Sequence, residues 1–368
     1  MGTFEVIAPG LFTTIQDEGR FGHQQSGVCV AGAMDPFAHK VANILCGNDN
    51  MNEAVLELTM MGATLAFHND AYISITGGDL SPAIDGVPVK TWQSYVIKAG
   101  STLSFETMKS GVRAYVGIFG GMDIPVVMGS KSTYAKAKIG GWEGRPLKAG
   151  DKIPYNKTNV AGKSPVQMPA QYIPAYAQEN VLRVVLGPQD DAFTQEGIDT
   201  FLSSAYTVSS EADRMGYRLE GAAIKHKDKS DIISDAMLMG GIQVPGQGHP
   251  IILMADRQTT GGYTKIASVI YADLYKVAQA KAGDVMRFSA ISIEEAQDLY
   301  DRFFKTLTGI EAGLLQAEAD SPQIIAAIAA AMEADKEVKV FNVRVGNQYY
   351  SVSVSKSETQ PGTEELEC

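Results

Sequence analysis

The chain has 368 residues, 45% of them hydrophobic and 20% charged, which is enough for two packed domains rather than one. Its 37 glycines favour short strands joined by tight turns over helical bundles. The formal net charge of −11 argues against a surface that binds nucleic acid or an anionic membrane, because either would need a basic stripe.

The cysteines and the chain's start predict a reduced, cytoplasmic protein. Cys29, Cys46 and Cys368 fit neither a disulfide framework nor a zinc-binding spacing. The first residues have no basic region followed by a long apolar core, so no signal peptide is indicated. No apolar run is long enough to span a bilayer, so we expect no membrane partner.

Short strands and one helix are predicted for residues 1–153, the first domain. A strand region from Phe4 to about Ile15 ends in a polar, glycine-punctuated loop, Gln16–Gly22. Asp35-Pro36 is a helix start, and the helix runs through Leu45 until Gly47 ends it. Closely spaced apolar runs from Ala54 to Tyr115 then predict a barrel or a sandwich.

A change of composition marks the boundary between two domains. Residues 154–180 are rich in Pro, Gln, Ala, Asn and Tyr, with Pro165, Pro169 and Pro174 spaced along them, and are predicted to be a linker. Residues 181–290 return to short apolar runs and glycine turns. They are predicted to form a second β domain.

The segment from Pro250 to Lys265 is the strongest candidate for a functional site. It begins as an apolar run and breaks into a polar turn that contains the pair Gly261-Gly262. The glycines let the backbone approach a ligand, and Arg257 and Lys265 supply positive charge for a carboxylate, a phosphate or a developing oxyanion. Asp256 could orient a cation or act as a base. The alternative interpretation is a solvated hairpin turn.

The loop that contains Gln16 and Arg20 repeats these residue types. Thr13 to Arg20 combines threonines with Gln, Asp and Arg, as the segment from Asp256 to Thr260 does. Either the two segments contribute to one site, or the similarity is a coincidence in a turn-rich protein.

The last part of the chain, residues 291–356, is predicted to be a helical and β-hairpin extension. Ser292 begins a capping box for a helix that runs to about Leu307, and an alanine-rich helix follows at residues 321–334. Two strand-like runs, 339–345 and 349–354, flank a Gly346-Asn347 turn. The acidic tail, residues 357–368, is predicted to be disordered.

Several kinds of catalytic chemistry lack support in the sequence. The five histidines never fall at the spacing of a metal site, so no metal is predicted. Neither a Gly-x-Ser-x-Gly elbow nor a cysteine signature indicates a covalent nucleophile. The loop Gly129–Thr133 is superficially similar to a phosphate cradle, but its spacing is wrong for a P-loop.

Taken together, five collinear motifs resemble those of the family that holds the C subunits of bacterial 5-oxoprolinases, also called the biotin-dependent carboxyltransferase or allophanate hydrolase subunit 2 family. The resemblance runs from about Phe4 to Phe288. One local departure is Thr264, where the family usually has proline. The motifs are Thr13–Arg20, Gly32–Asp35, Gly187–Gln189, Asp213–Gly221 and Ala255–Tyr263.

This resemblance implies a mainly β fold with two cyclophilin-like β-barrel domains. It implies that the chain works with partners like the B and A subunits of 5-oxoprolinase in the ATP-dependent opening of 5-oxo-L-proline to L-glutamate. Two alternatives stay open. Carboxyltransferase relatives pass a carboxyl group from carboxybiotin to an amide such as urea, and other members are thought to be non-catalytic regulatory partners of a protein like the B subunit.

The resemblance also extends the predicted site, with ATP bound in the complex at a site on a partner or shared with one. The chain itself is expected to carry no biotin, because no Ala-Met-Lys-Met tetrapeptide follows the last hairpin before Cys368. The predicted catalytic residues are Lys265, Arg257 and Asp256. The predicted residues that bind a small amide substrate are Thr259, Thr260, Gly261, Gly262, Tyr263, Arg214, Gln189, Gln16 and Arg20.

Overall fold

A computed structural model describes residues 1–156, 159–319, 339–345 and 348–354 of the chain. Residues 1–307 form one compact unit and residues 308–368 a second, smaller one. The predicted linker, 154–180, lies inside the larger unit.

Strands dominate the described residues, which confirms the predicted mainly β class. The helices are Pro36–Cys46 (α1), Gln195–Ser203 (α2), Leu274–Ala278 (α3) and Ile293–Ala319 (α4). The strands are Gly2–Ala8 (β1), Phe12–Gln16 (β2), Val55–Thr59 (β3), Thr64–Phe67 (β4), Ala71–Asp79 (β5), Ala83–Ile84 (β6), Val87–Pro88 (β7), Gln93–Ile97 (β8), Thr102–Ser104 (β9), Ser110–Ile118 (β10), Lys152–Tyr155 (β11), Glu179–Leu186 (β12), Tyr206–Val208 (β13), Gly216–Glu220 (β14), Asp231–Ala236 (β15), Gly241–Gln243 (β16), Ile251–Leu253 (β17), Thr260–Tyr263 (β18), Lys265–Val269 (β19), Val285–Ala290 (β20), Lys339–Val345 (β21) and Gln348–Val354 (β22).

Two antiparallel sheets share one apolar core in the first half of the larger unit. One sheet has the strand order β11-β1-β4-β9-β6-β7, and the other has the order β2-β3-β10-β5-β8. Phe4 and Phe67 come from the first sheet and Ile73 and Val116 from the second, and all four are fully buried in the same cluster. Alternating apolar residues along each strand therefore meet between the sheets.

Helix α1 covers part of this half, and its predicted ends are confirmed. Asp35 is the N-cap residue, since its side chain accepts a hydrogen bond from the Ala38 N–H at 2.9 Å, and Pro36 takes the first helical position. Gly47 ends the helix with a φ of 71°, a left-handed conformation that glycine adopts without a steric penalty.

The second half forms a closed barrel of seven strands in the order β12-β19-β16-β17-β14-β13-β20. Strands β12 and β20 run parallel, and the other neighbours whose registers are defined run antiparallel. The core includes Leu182, Ile242 and Phe288 from the barrel, together with Met34 from the first half. The closed ladder leaves the barrel without a free edge.

A two-stranded ribbon, β15 with β18, lies outside the barrel ladder. The sequence interpretation of residues 256–265 as a polar loop is wrong for Thr260–Tyr263, which form β18. The pair Gly261-Gly262 indicated a turn, but the exposed strand β15 supplies backbone partners that the local sequence does not reveal. This pair of strands is called the ribbon below.

Helix α4 begins as predicted and continues further. Ser292 and Glu295 form the capping box, with reciprocal hydrogen bonds of 2.9 and 3.1 Å. The predicted end near Leu307 is wrong, because the helix extends to Ala319. The Ala, Leu and Glu residues that follow Leu307 have high helix propensity and continue the helix through Gly309 and Gly313.

The smaller unit contains the end of α4 and an antiparallel hairpin of β21 and β22, in register at Val345 and Gln348. The hairpin confirms the predicted strand pair. The predicted turn at 346–347, the predicted helix at 321–334 and the tail at 357–368 lie outside the described residues. Among the helices that the structure describes, none has the length and apolar character needed to cross a membrane.

Candidate functional site

Lys265 and Gln189 converge on a single carboxylate oxygen. The Lys265 Nζ atom donates to Oδ2 of Asp235 at 2.7 Å, and the Gln189 Nε2 atom donates to the same oxygen at 3.2 Å. Lys265 is 1% exposed, whereas the side chain of Asp235 is 48% exposed. The hydrogen bond from Lys265 lowers the pKa of the Asp235 carboxyl group. The arrangement is a small, charge-assisted anion site.

The scaffold holds these two donors firmly. The backbone N–H of Gln189 donates to the carbonyl of Lys265 at 3.1 Å, and the side-chain oxygen of Gln189 accepts from the Lys265 N–H at 3.1 Å. Lys265 begins β19, and Gln189 follows β12, which is its neighbour in the barrel. Gln189 and Lys265 were both predicted as site residues, and the structure brings them together.

Arg257 is a buried cation with weak partners. It is 9% exposed, and its Nε and Nη1 atoms donate to the carbonyls of Met237 and Met254, both at 3.3 Å. It forms no ion pair within the described part of the chain. Burial lowers its pKa, although electrostatic interactions with Cys29 and with the Asp256 carboxylate oppose that effect. A guanidinium in such surroundings is suited to bind an anionic ligand group.

Asp256 is engaged by Arg214. Its two oxygens accept hydrogen bonds from Arg214 Nε and Nη2 at 3.0 and 2.9 Å. Arg214 also donates through Nη1 to buried Glu57 and through Nη2 to the carbonyl of Gly32 at 2.7 Å. Burial opposes the charge of Arg214, but the two carboxylates outweigh that effect and raise its pKa. The geometry gives Asp256 and Arg214 the role of fixing the start of the segment.

The predicted residues Thr259 to Tyr263 lie along the ribbon. The carbonyl of Thr259 accepts from the Met237 N–H at 3.1 Å, and Tyr263 is 41% exposed. Thr260 and Gly262 belong to β18. Gly261 packs closely against the end of the Met237 side chain, which would have to shift for a larger residue, because an added Cβ atom would lie 2.5 Å from its Cε atom.

Thr264 has a structural role that proline could not fill. Its N–H donates to the carbonyl of Ser230 at 3.0 Å, and its hydroxyl lies 3.1 Å from Nε2 of His226. Proline has no N–H, so a proline at position 264 would remove the hydrogen bond to Ser230, the residue that precedes β15 of the ribbon.

Gln16 and Arg20 are not brought to the Lys265 donors. Both are fully buried in the first half. Gln16 Nε2 donates to the carbonyl of Thr133 at 3.1 Å, and Arg20 donates to the carbonyls of Val127 and Ser132, each at 2.9 Å. These contacts hold the loop at residues 127–133 in place.

The same loop wraps around a carboxylate of the protein itself. Asp17 accepts from Ser130 Oγ at 2.7 Å, from the Lys131 N–H at 2.6 Å and from Ser132 Oγ. The similarity of Gly129–Thr133 to a phosphate cradle is therefore explained by an internal anion, Asp17.

Sequence reasoning missed Asp235 and Glu57. Asp235 lies on an exposed strand and had no local signal, since its importance depends on a partner 30 positions away. Glu57 had a weak one, because it is the lone charge in the apolar run Val55–Leu58. The described residues contain no group of three or more His, Cys, Asp or Glu side chains arranged to hold a metal ion.

Comparison with known proteins places this chain among carboxyltransferase domains. A family model described as the carboxyltransferase domain, subdomains A and B, matches residues 26–290. The C subunit of 5-oxoprolinase from Escherichia coli strain K12 is 40% identical over 307 residues, which cover 82% of this chain and 97% of that protein. The protein of the same name from Haemophilus influenzae is 37% identical, over 78% of this chain and 90% of that one.

Solved structures agree with the sequence comparison. The crystal structure of the Kluyveromyces lactis urea carboxylase superposes with a TM-score of 0.79 and 31% sequence identity. The match covers 84% of this chain but 29% of that one, so this chain spans less than a third of the yeast protein. The family model's match takes in the second half, the segment from Asp256 to Lys265 and the first half from residue 26 onward.

Proposed function

This chain belongs to the carboxyltransferase-domain family, and from that membership we propose that it is the C subunit of a 5-oxoprolinase-type enzyme complex. With partners like the B and A subunits of such an enzyme, it takes part in the ATP-dependent opening of 5-oxo-L-proline to L-glutamate. The observation that carries this proposal is the 40% identity to the C subunit of the Escherichia coli 5-oxoprolinase across 97% of that protein's length. ATP is assigned to the complex, and no covalent biotin is assigned to this chain.

The chemistry of the site supports an anionic lactam as substrate. 5-Oxoproline carries a carboxylate, and attack on its ring carbonyl places negative charge on the carbonyl oxygen before the C–N bond breaks. Lys265 with Gln189 and the weakly paired Arg257 offer separate positive groups for two such oxygens. Stabilising charge that develops in the transition state is the largest contribution such groups make to catalysis.

The proposal is tested by assembling the complex from its purified components. Glutamate formation from 5-oxo-L-proline and ATP is measured with each chain omitted in turn, and we expect turnover to require this chain. Lys265→Met should lower kcat/KM by about 100-fold or more, because it removes a donor aimed at an anionic oxygen. Turnover that is indifferent to the presence of this chain would contradict the proposal and favour a regulatory role.

Lys276→Met is a matched control for the lysine variant. Lys276 lies on α3 and pairs with Asp273 at 3.0 Å, so the substitution removes a partly buried lysine without touching the Lys265 donors. We expect turnover close to that of the unmodified chain. If Lys265→Met and Arg257→Met both retained full turnover in complexes that assemble, the site assignment would be wrong.

A second candidate function is carboxyl transfer from carboxybiotin on a separate carrier protein to an amide such as urea. The structural similarity to a urea carboxylase favours it. A complex that forms no glutamate, but consumes a carboxylated carrier when an amide acceptor is added, would replace the first proposal with this one. Bicarbonate-independent turnover of 5-oxoproline would exclude it.

A further inference from the structure

The carboxylate that fills the Lys265–Gln189 site comes from the ribbon rather than from the barrel. Asp235 is the fifth residue of β15, and the six residues of that strand are mostly exposed, with Ile233 at 94%. The Asp235 Oδ2 atom accepts from both donors, while Oδ1 accepts from the neighbouring Ala236 N–H at 2.8 Å. An exposed strand thus supplies the counter-ion of a buried cation.

The ribbon is tied down at its ends and loosely paired between them. Ser230 and Met237 flank β15, are buried, and bond to Thr264 at 3.0 Å and to Thr259 at 3.1 Å. Between them the β15–β18 pairing shifts register, from Asp231 opposite Tyr263 to Asp235 opposite Gly261. Short, irregular, solvent-exposed pairing opens at low free-energy cost. The centre of the ribbon can therefore move while its ends stay fixed.

The two partners of the ion pair depend on it unequally. Lys265 is 1% exposed and would be left as an unpaired buried charge without a carboxylate, which is costly. The side chain of Asp235 is 48% exposed and can be solvated by water when it leaves. A carboxylate ligand that displaces the Asp235 side chain keeps the charge of Lys265 neutralised, whereas a neutral ligand would leave that charge unpaired.

We propose that Asp235 is an internal stand-in for the carboxylate of the substrate, which holds the Lys265–Gln189 site closed until a carboxylate-bearing amide displaces it and the ribbon opens. The identification of the amide as a lactam acid rests on the proposed function. The exchange of carboxylates does not.

The test uses the full chain labelled with ¹⁵N-lysine. The backbone amide of Lys265, which donates to Gln189, reports on the site and is assigned by its loss in Lys265→Arg. Acetate is the carboxylate probe and acetamide its neutral counterpart. An internal competitor that occupies the site most of the time weakens apparent affinity, so Asp235→Asn and Asp235→Ala should bind acetate about tenfold more tightly than the unmodified chain. Acetamide should bind neither the unmodified chain nor the Asp235 variants.

Asp231→Asn is the matched control, because it removes the same charge from the same strand at an exposed position without contact to Lys265. It should bind acetate as the unmodified chain does. Acetate should also speed hydrogen–deuterium exchange at residues 231–236 of the unmodified chain. If the Asp235 variants bound acetate no more tightly, or more weakly, Asp235 would not be a competitor, and the proposal would be overturned.

A parallel titration separates this inference from the proposed function. The apparent affinity of 5-oxo-L-proline is compared with that of 2-pyrrolidinone, the same lactam without its carboxylate. If acetate shows the expected tightening but 5-oxo-L-proline does not bind, the carboxylate exchange stands and the proposed substrate fails. If 5-oxo-L-proline binds the unmodified chain and the Asp235 variants equally, the exchange is wrong while the substrate stands.

Discussion

Arg214 and Arg257 are both buried guanidinium groups, yet their surroundings differ. Arg214 is bonded to two carboxylates and a carbonyl, whereas Arg257 has only two carbonyl contacts at 3.3 Å. A buried charge with good partners stabilises its surroundings, while one without them costs free energy. Arg257 is therefore held at the expense of stability, which is common for groups that bind ligands.

Arg257→Met should separate activity from stability. Because methionine fills a similar space without a desolvated charge, we expect the free energy of unfolding to be unchanged or higher. Turnover of the assembled complex should fall sharply. Urea unfolding followed by circular dichroism measures the first effect. A loss of stability of about 2 kcal/mol or more would show that Arg257 is a structural residue.

Asp35 should make stability depend on pH in the acid range. Burial raises its pKa to about 6, against opposing hydrogen bonds from Ala38 and Gln279. The folded state therefore binds this proton more tightly than the unfolded state. Its stabilising effect is present below about pH 4 and is lost as the pH rises through about 6, an effect of roughly 3 kcal/mol.

Asp35→Asn removes this titration, because the asparagine amide does not ionise. Asparagine can still cap α1, so the helix start is kept. The free energy of unfolding of the variant relative to the unmodified chain should rise between pH 4 and pH 6. Any fixed cost, such as the amide of Asn facing the Gln279 amide, cancels in that comparison. A difference that stays constant across this range would show that Asp35 titrates normally.

Helix α4 joins the two halves of the larger unit through an aromatic cluster. The Phe303 ring lies 5.7 Å from that of Phe37 on α1 and 5.1 Å from that of Tyr271, which follows β19. Nζ of Lys40 lies 5.7 Å from the centre of the Phe304 ring and pairs with Glu18. The first turns of the helix thus pack on both halves.

Phe303→Ala should lower the free energy of unfolding by about 2–3 kcal/mol, below the range for a fully buried ring because Phe303 is only partly buried. Gln297→Ala, on the exposed face of the same helix, should change it by less than about 0.5 kcal/mol. Thermal unfolding of the two variants compares them. Equal midpoints would mean that the aromatic cluster adds no stability.

Elements with local signals could be predicted from the sequence, and elements that depend on distant partners could not. Helix ends are indicated by Asp35-Pro36, by Gly47 and by the Ser292–Glu295 capping box, because each of these makes hydrogen bonds within a few residues. Strand β18 has no such signal. Its glycines suggest a turn, and only the pairing with β15 makes it a strand.

A buried polar network connects the two halves across their interface. Glu57 accepts from Arg214, from the Met34 N–H at 2.8 Å and from Tyr115 Oη at 2.9 Å. Gln279 of the second half bridges to the first half in the same manner. Its Oε1 atom accepts from the N–H groups of Val112 and Arg113, both at 3.0 Å. Its Nε2 atom donates to Asp35 at 2.9 Å. Such networks make an interface specific when every member is satisfied.

Arg214→Met should destabilise the whole larger unit. It removes the nearer of two cations from buried Glu57 and leaves only Arg113, whose Nε lies 4.0 Å from Glu57 Oε1, and loss of such a buried pair costs about 3–5 kcal/mol. Arg218→Met is the control, because Arg218 pairs at 3.2 Å with Glu211 where both side chains are more than half exposed, and its loss should cost less than about 1 kcal/mol. Denaturant midpoints measure both. A small effect of Arg214→Met would mean that Glu57 finds another partner.

The sequence could not reveal this interface. A lone charge in the apolar run Val55–Leu58 is typical of a residue that faces solvent, but the second half covers Glu57, which is fully buried. The positive charges of Arg257 and Lys265 were predicted as a site because they lie in one short segment. Gln189 and Lys265 meet because β12 pairs with β19, and Asp235 joins them from the ribbon.

The tie between Glu57 and Arg214 also limits how this protein can be divided. Each half has its own apolar core, so the halves resemble modules that could be expressed or inherited separately. Cut between residues 156 and 180, however, each would expose its side of the interface with charges that have lost their counter-ions. We therefore expect the halves to be soluble only when produced together, and a gene fission in this family to succeed only if both pieces are made in the same cell.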